Sequence, residues 1–474
     1  MNPLSRRKFI KLSGIAAAAL AVAGKPENIY ASAPDKQFDF VIKNGRSFIN
    51  GAWDSYYIGV TADGKLMVSK TPLIAGKVID ANGNIVAPGF IDILADNSSN
   101  PERTYRVFEK YKLGDGVTTA LQMHGGATDA GEFYSQFGKL PHYTNYGVST
   151  KVMNIRIKYN RLDDRIKAIE RSLDGGALGV SHSPEYQSDT TWDELLAYAK
   201  IAKKYDRPMF LHARYSSKEK ELLGVDEAIK LAQETGCKVH IDHLNSTGGT
   251  FNMPEALNRI RKARDSGLQI TTCVYPYSYW ATYISSERFG PGWQQRYNLT
   301  YSDLEVVGTG EHLTEESFNR YRKQKGILVA VKPGVQPLDK TVKPALMEDF
   351  CMIGSDGGIE TEPHANNHPR GAACFSVAIR YALSEKIPLE KMLDKMTGLS
   401  ANLVGKPMNG RGELKSGNIA DITVFNPQVI DGMATNANPN QFSKGIELVV
   451  VNGKIALEKG KTELTANAGA AIKY

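Results

Sequence analysis

Two apolar runs in this chain each close in an imidazole: Met209-Phe210-Leu211-His212 and Val239-His240-Ile241-Asp242-His243. If such runs form adjacent parallel strands they lie about 4.8 Å apart, so both rings can reach one ion. Either histidine alone reads equally well as a buried, hydrogen-bonded structural residue. Together they point to a metal. His240 sits in mid-strand and is set aside. Asp356 closes the run Cys351-Met352-Ile353-Gly354-Ser355 and precedes Gly357-Gly358. A carboxylate there can bind a metal and accept a proton from attacking water; the plainer alternative is a turn residue before glycines. Asp96, His124, Arg156, His182 and Tyr275 with Tyr277 also end apolar runs. The chemistry open to such a set is metal-assisted hydrolysis.

Strands must deliver these groups. Candidates lie at 85–95, 117–123, 148–157, 177–182, 208–212, 238–243, 269–275 and 350–355. Segments 192–205, 218–235 and 254–266 carry apolar residues at helical three-four spacing. Strand–helix alternation implies parallel β-structure. Eight units imply an α/β fold closed as a (β/α)₈ TIM barrel, over residues 85–409, with reactive groups at the C-terminal strand ends. Residues 279–349 exceed a normal loop and include a helical pattern at 314–324, which predicts a cap over the site. Residues 38–84 and 410–460 share short β-type runs broken by Asn-Gly and Asp-Gly turns. These two ends are expected to form one small β-sandwich.

The chain has 474 residues, 42% hydrophobic and 23% charged, with a formal net charge of +7 spread over interspersed Lys and Arg. A basic footprint for nucleic acid is absent from this pattern, and a small-molecule substrate is expected instead. Cys237, Cys273, Cys351 and Cys374 show no C-x-x-C spacing and read as buried free thiols. Ser5-Arg6-Arg7-Lys8-Phe9-Ile10-Lys11, a short apolar run and Ala31-Ser32-Ala33 match a twin-arginine signal over 1–33. That signal implies recognition by the twin-arginine machinery, export of the folded protein to the periplasm and no stable membrane insertion after signal removal.

Val86-Ala87-Pro88-Gly89-Phe90-Ile91-Asp92 resembles the first-strand signature of the amidohydrolase superfamily. His212-Ala213-Arg214, Asp242-His243-Leu244, Tyr275-Pro276-Tyr277, Gly354-Ser355-Asp356-Gly357, His368-Pro369-Arg370 and Gly417-Asn418-Ile419-Ala420-Asp421 resemble its N-acyl-D-amino-acid deacylase branch. The resemblance implies His212 and His243 as metal ligands and Asp356 as catalytic base. By position it makes Arg214, Tyr277, Arg370 and His368 substrate-side residues. The chain also departs from the pattern. Leu94 and Asp96 stand where the branch has His-x-His, His124-Gly125-Gly126 replaces the region of a metal-bridging cysteine, and Asn245 replaces a lysine. Strand alternation then places Asp92, Leu94 and Asp96 on the face toward the barrel mouth. Asp96 and His124 can serve as substitute ligands, since zinc accepts Asp and His alike. The alternatives are a mononuclear site on His212, His243 and Asp356, or a barrel without metal chemistry.

The function implied is a metal-dependent hydrolase of a non-peptide C–N bond, carrying one or two divalent ions such as zinc and deacylating an N-acyl amino acid. A cyclic amide or imide hydrolase and a ligand-binding pseudoenzyme of the same fold are the alternatives.

Overall fold

Hairpin chemistry builds the first sheet. Strand β1 (Phe38–Ile49) returns as β2 (Ala52–Val60) through Asn50-Gly51, whose φ angles of 52° and 80° are those of a two-residue turn matched to strand twist. The computed structural model describes residues 37–95, 101–359, 367–462 and 466–474, all within the unit Gln37–Tyr474. The expected signal at 1–33 and the candidate Asp96 lie outside the described residues. Strands β3 (Leu66–Ser69), β4 (Ala75–Asp80) and β5 (Ile85–Pro88) complete the first segment.

The barrel follows with β6 (Phe90–Asp92), β7 (Val117–Ala127), β8 (Asn145–Lys151), β9 (Val180–His182), β10 (Met209–Leu211), β11 (Val239–Ile241) and β12 (Ile270–Val274). An insertion carries β13 (Ala281–Tyr283), β14 (Leu304–Val306), β15 (Glu311–His312) and β16 (Leu328–Val331) before the last barrel strand, β17 (Cys351–Ile353). The chain closes with β18 (Ile422–Phe425), β19 (Ile446–Val451), β20 (Lys454–Glu458) and β21 (Lys461–Thr462).

The two chain ends join through β5, which pairs antiparallel with β18 from Ile85↔Phe425 to Pro88↔Ile422. They form one hydrogen-bonded nine-stranded sheet, in the order β21-β20-β19-β18-β5-β1-β2-β3 with β4 on β1. Phe40, Ile58 and Val60 from one end and Ile422, Leu448 and Val450 from the other share a single apolar core. The expected strand 85–95 is therefore two strands. The break falls at Gly89, where a β-carbon would sit 2.2 Å from the Thr118 hydroxyl oxygen.

Eight parallel strands make the barrel, in the order β17-β12-β11-β10-β9-β8-β7-β6. The seam between β6 and β17 is held by the Ala95–Gly357 bridge and by a buried polar knot. Asp92 accepts from the Ser355 amide (3.0 Å) and from the Lys112 ammonium (2.8 Å), which also reaches the Ser355 hydroxyl (3.0 Å). Ile91, Ile93, Leu94, Leu121, Met123, Leu178, Phe210, Cys273 and Met352 fill the interior, closed at one end by Leu403, Val404 and Ile472.

Two strand expectations are corrected. Asp92 turns toward the helix Pro101–Gly114 that carries Lys112, while Ile91, Ile93 and Leu94 are interior. Alternation ends at Asp92 because its carboxylate also accepts from the Leu94 amide (3.2 Å), a local turn that breaks the pleat. The expected strand 148–157 stops at Lys151 and continues as the helix Val152–Lys158. Arg156 is thus helical and paired with Asp189 and Glu194.

The insertion folds as an antiparallel sheet, β13-β16-β14-β15, with the helix Glu315–Tyr321. Its core is Trp280, Phe289, Trp293, Tyr297, Leu304, Phe318, Val329 and Val331. Trp280, Ala281, Thr282 and Arg288 line the same cavity as the strand-end histidines.

Candidate active site

His212 follows β10 directly, His243 lies two residues past β11, and His124 lies within β7. One ring nitrogen from each gathers within 4.8 Å of the other two. The facing atoms of His212 and His243 are Nδ1 and Nε2, 3.2 Å apart. Each ring is gripped from behind. His212 Nε2 meets Glu185 at 2.6 Å, His243 Nδ1 meets the Ser246 hydroxyl at 3.0 Å, and His124 Nδ1 meets Asp242 at 2.7 Å. His243 holds a φ of 28° and Asp356 one of 48°, so both depart from strand geometry just past the strand ends. Such conformations concentrate at functional sites.

Electrostatics suit cation binding. Burial drives the His212 imidazole below its ordinary value against the pull of Glu185, and drives His243 well below it against Asp356. Both rings are therefore neutral, the form in which imidazole binds a metal. Burial pushes the Asp356 carboxyl up, but Arg370 and then His243 outweigh it and hold it far below the usual carboxylate range. Burial likewise pushes Glu185 up, yet Arg288 and the His212 hydrogen bond bring it down to about 2. Three imidazoles beside the ionised carboxylates of Asp356 and Glu185 form a donor set that fits a divalent metal ion.

Asp356 adjoins the triad. Its Oδ1 lies 3.7 Å from His243 Nε2, and its Oδ2 lies 2.7 Å from Arg370. Arg370 also donates to the Asp356 carbonyl through Nε (2.7 Å). These groups, with His368 and Tyr275, line a cavity of about 440 Å³. Among the described residues, Arg370 Nη1, His368 Nε2 and the Tyr275 hydroxyl have no hydrogen-bond partner.

The candidates chosen from sequence divide accordingly. His124, His212, His243, Asp356, His368 and Arg370 share this cavity. Arg214 is not part of its lining: its guanidinium is spent on Glu227 (3.0 Å) and on the carbonyls of Ser188 and Thr190. Tyr277 lies behind the wall with its ring 5.0 Å from that of His368, and Tyr275 takes the lining position. His182 turns to Thr190 (2.9 Å) and the helix Trp192–Lys204. Asn245 knits the loop by donating to the Tyr275 carbonyl (3.1 Å). Glu185, Asp242, Ser246 and Arg288 escaped the strand-end search. Asp242 was within reach of it, as the neighbour of His243. Glu185 lies three residues past β9, in a loop on the same mouth, and Arg288 comes from the insertion with no signal in the sequence.

An N-acyl-D-glutamate deacylase of Alcaligenes xylosoxydans xylosoxydans is 26% identical over 427 residues, covering 80% of this chain and 85% of the relative. A D-aminoacylase of the same organism is 24% identical over 421 residues, covering 79% and 84%. The crystal structure of N-acyl-D-glutamate deacylase from Bordetella bronchiseptica, complexed with zinc and a phosphonate inhibitor, matches with a TM-score of 0.79 at 22% identity. That match covers 93% of this chain and 100% of the other, and it shares the barrel fold. Residues 85–456 match the amidohydrolase family. That span takes in the barrel and every histidine lining the cavity, and the chain belongs to the amidohydrolase family, as a hydrolase of carbon–nitrogen bonds other than peptide bonds.

Proposed function

We propose that the protein is a zinc-dependent deacylase of N-acyl amino acids with a mononuclear site on His124, His212 and His243. The observation carrying this reading is the convergence of three imidazoles, each held from behind by Asp242, Glu185 or Ser246. Acceptors behind ligating imidazoles fix ring orientation and raise ligand basicity. Asp242 takes Nδ1 of His124, so Nε2 is the atom that ring would present to the ion. Zinc held there supplies a positive charge that polarises the amide carbonyl and lowers the pKa of water.

The chain's own residues do the rest. Asp356, kept ionised by Arg370, accepts the proton of the attacking water and returns it to the departing nitrogen. Arg370 Nη1, His368 Nε2 and the Tyr275 hydroxyl are the cavity groups suited to receiving the carboxylate of an N-acyl amino acid. The deacylase relatives support this substrate class. The motif Ser5-Arg6-Arg7-Lys8-Phe9 supports twin-arginine export and action in the periplasm, which fractionation of cells would test.

The decisive experiment pairs metal analysis with a substrate panel. Protein purified without added metal should hold about one zinc per chain and release amino acid from N-acyl-D-amino acids. Turnover of cyclic imides alone would move the assignment to ring opening. Absence of both metal and turnover would reduce the chain to a ligand-binding member of the fold.

A further inference from the structure

Arg288 belongs to the insertion, in the short turn Glu287–Phe289 that packs into the cap's aromatic core. Its guanidinium lies over the Trp280 ring at 5.1 Å and is 3% exposed. Yet it spends its donors on the barrel. Nε donates to Glu185 Oε2 (3.1 Å), the oxygen that also meets His212 Nε2 at 2.6 Å. Nη2 donates to the Ser246 carbonyl (2.8 Å), and the Ser246 hydroxyl meets His243 Nδ1 at 3.0 Å. One cap side chain therefore touches both residues that orient these two rings of the triad. The other oxygen of Glu185 accepts from Ser216, whose hydroxyl meets that of the cap residue Tyr297 at 2.8 Å.

We propose that Arg288 is a positioning residue that couples seating of the cap to the metal affinity of the histidine triad. This rests on the reading that the triad holds a divalent ion. Three physical arguments carry it. A carboxylate as buried as Glu185 is costly unless paired, and Arg288 is its partner cation. Groups behind metal-ligating imidazoles set affinity as well as orientation. The guanidinium fork also spans two barrel loops at once, a geometry that a single ammonium cannot reproduce. With the cap lifted, Glu185 loses its counter-charge and the Ser246 loop loses a donor, so two ligands loosen together. Metal retention and closure of the cavity are then one equilibrium.

The test uses the full chain stripped of metal, titrated with Zn²⁺ against a chromophoric chelator, alongside thermal melts with and without Zn²⁺. Arg288→Met should weaken Zn²⁺ binding by about 10–100-fold. It should lower the metal-free Tm, because Glu185 is left unpaired, and in addition shrink the rise in Tm that Zn²⁺ produces. Arg288→Lys should recover part of the loss. If Arg288→Met does not fold, Tyr297→Phe carries the test, with weakening of about 3-fold expected from one lost hydrogen bond. Parental affinity in the variant overturns the proposal. So does a lower metal-free Tm with the Zn²⁺-induced rise intact, which marks a purely structural role. A parent protein that binds no Zn²⁺ overturns the metal reading itself, before any variant is compared.

Discussion

Asp356 faces His243 with one carboxylate oxygen and Arg370 with the other, and that division sets its proton affinity. Burial raises the carboxyl and Arg370 is the leading group that lowers it. Removing the guanidinium should therefore let it rise. In Arg370→Met the acid limb of the kcat/KM–pH profile should move to higher pH, because the base must be ionised to accept a proton. A limb that stays in place would mean that another group limits activity in acid. Asp96 poses a second question at this scale. On the proposed reading, three imidazoles are all the protein ligands that a catalytic zinc with an open fourth position needs. Asp96→Ala should then leave zinc content at about one per chain, read by elemental analysis. A fall in zinc content would add Asp96 to the ligands.

At the scale of elements, the barrel strands hold imidazoles that no cation needs. His240 projects from β11 beside the Phe210 ring, hydrogen-bonded to Thr271 (2.8 Å), and burial lowers its pKa to about 4. Burial lowers His182, on β9, to about 3. Against an unfolded value of 6.5, the unfolded chain binds protons first as pH falls. Both groups therefore subtract stability below pH 6.5, by about 1.4 kcal/mol per pH unit for each imidazole, and His240 stops contributing near pH 4. Urea unfolding midpoints measured between pH 7 and pH 5 should fall accordingly. His240→Gln should flatten that dependence, and an unchanged slope would show that His240 titrates normally in the folded state.

The whole molecule is closed by segments distant in sequence. Residues 466–474 run beneath the barrel, where Ala471 bridges Tyr146 and Ile472 enters the interior cluster with Leu121 and Leu178. Tyr474 donates to the Val404 carbonyl (2.9 Å), tying the tail to the helix Gly398–Val404. Ile472→Ala removes buried methyl groups from a site that is 4% exposed and should cost about 2–4 kcal/mol. A thermal melt should show a lower midpoint with any Zn²⁺-induced increment preserved, since the three histidines of the proposed metal site line the cavity at the other mouth of the barrel.

By itself the sequence determined the class of fold and picked out most of the residues that share the cavity. Apolar runs ending in His212 and His243, and the run ending in Asp356, mark barrel strands because a parallel strand buried on both faces reads as a near-continuous apolar run, with the reactive groups of a barrel at its C-terminal end. Asn50-Gly51 marked its hairpin because two successive positive φ values admit few other residues. Tertiary structure decided the remainder. Alternation failed at Asp92 because its carboxylate found the Leu94 amide two residues on, and Lys112 and Ser355, partners that only the folded barrel supplies. Arg214 was lost to Glu227 for the same reason: a guanidinium goes to the nearest carboxylate in space, whatever its motif. Glu185 and Arg288 stand 103 residues apart, and no local periodicity encodes a contact between a barrel loop and a cap. Spacing along a chain reports which face a residue occupies, whereas the partner that fixes its charge and orientation is set by packing.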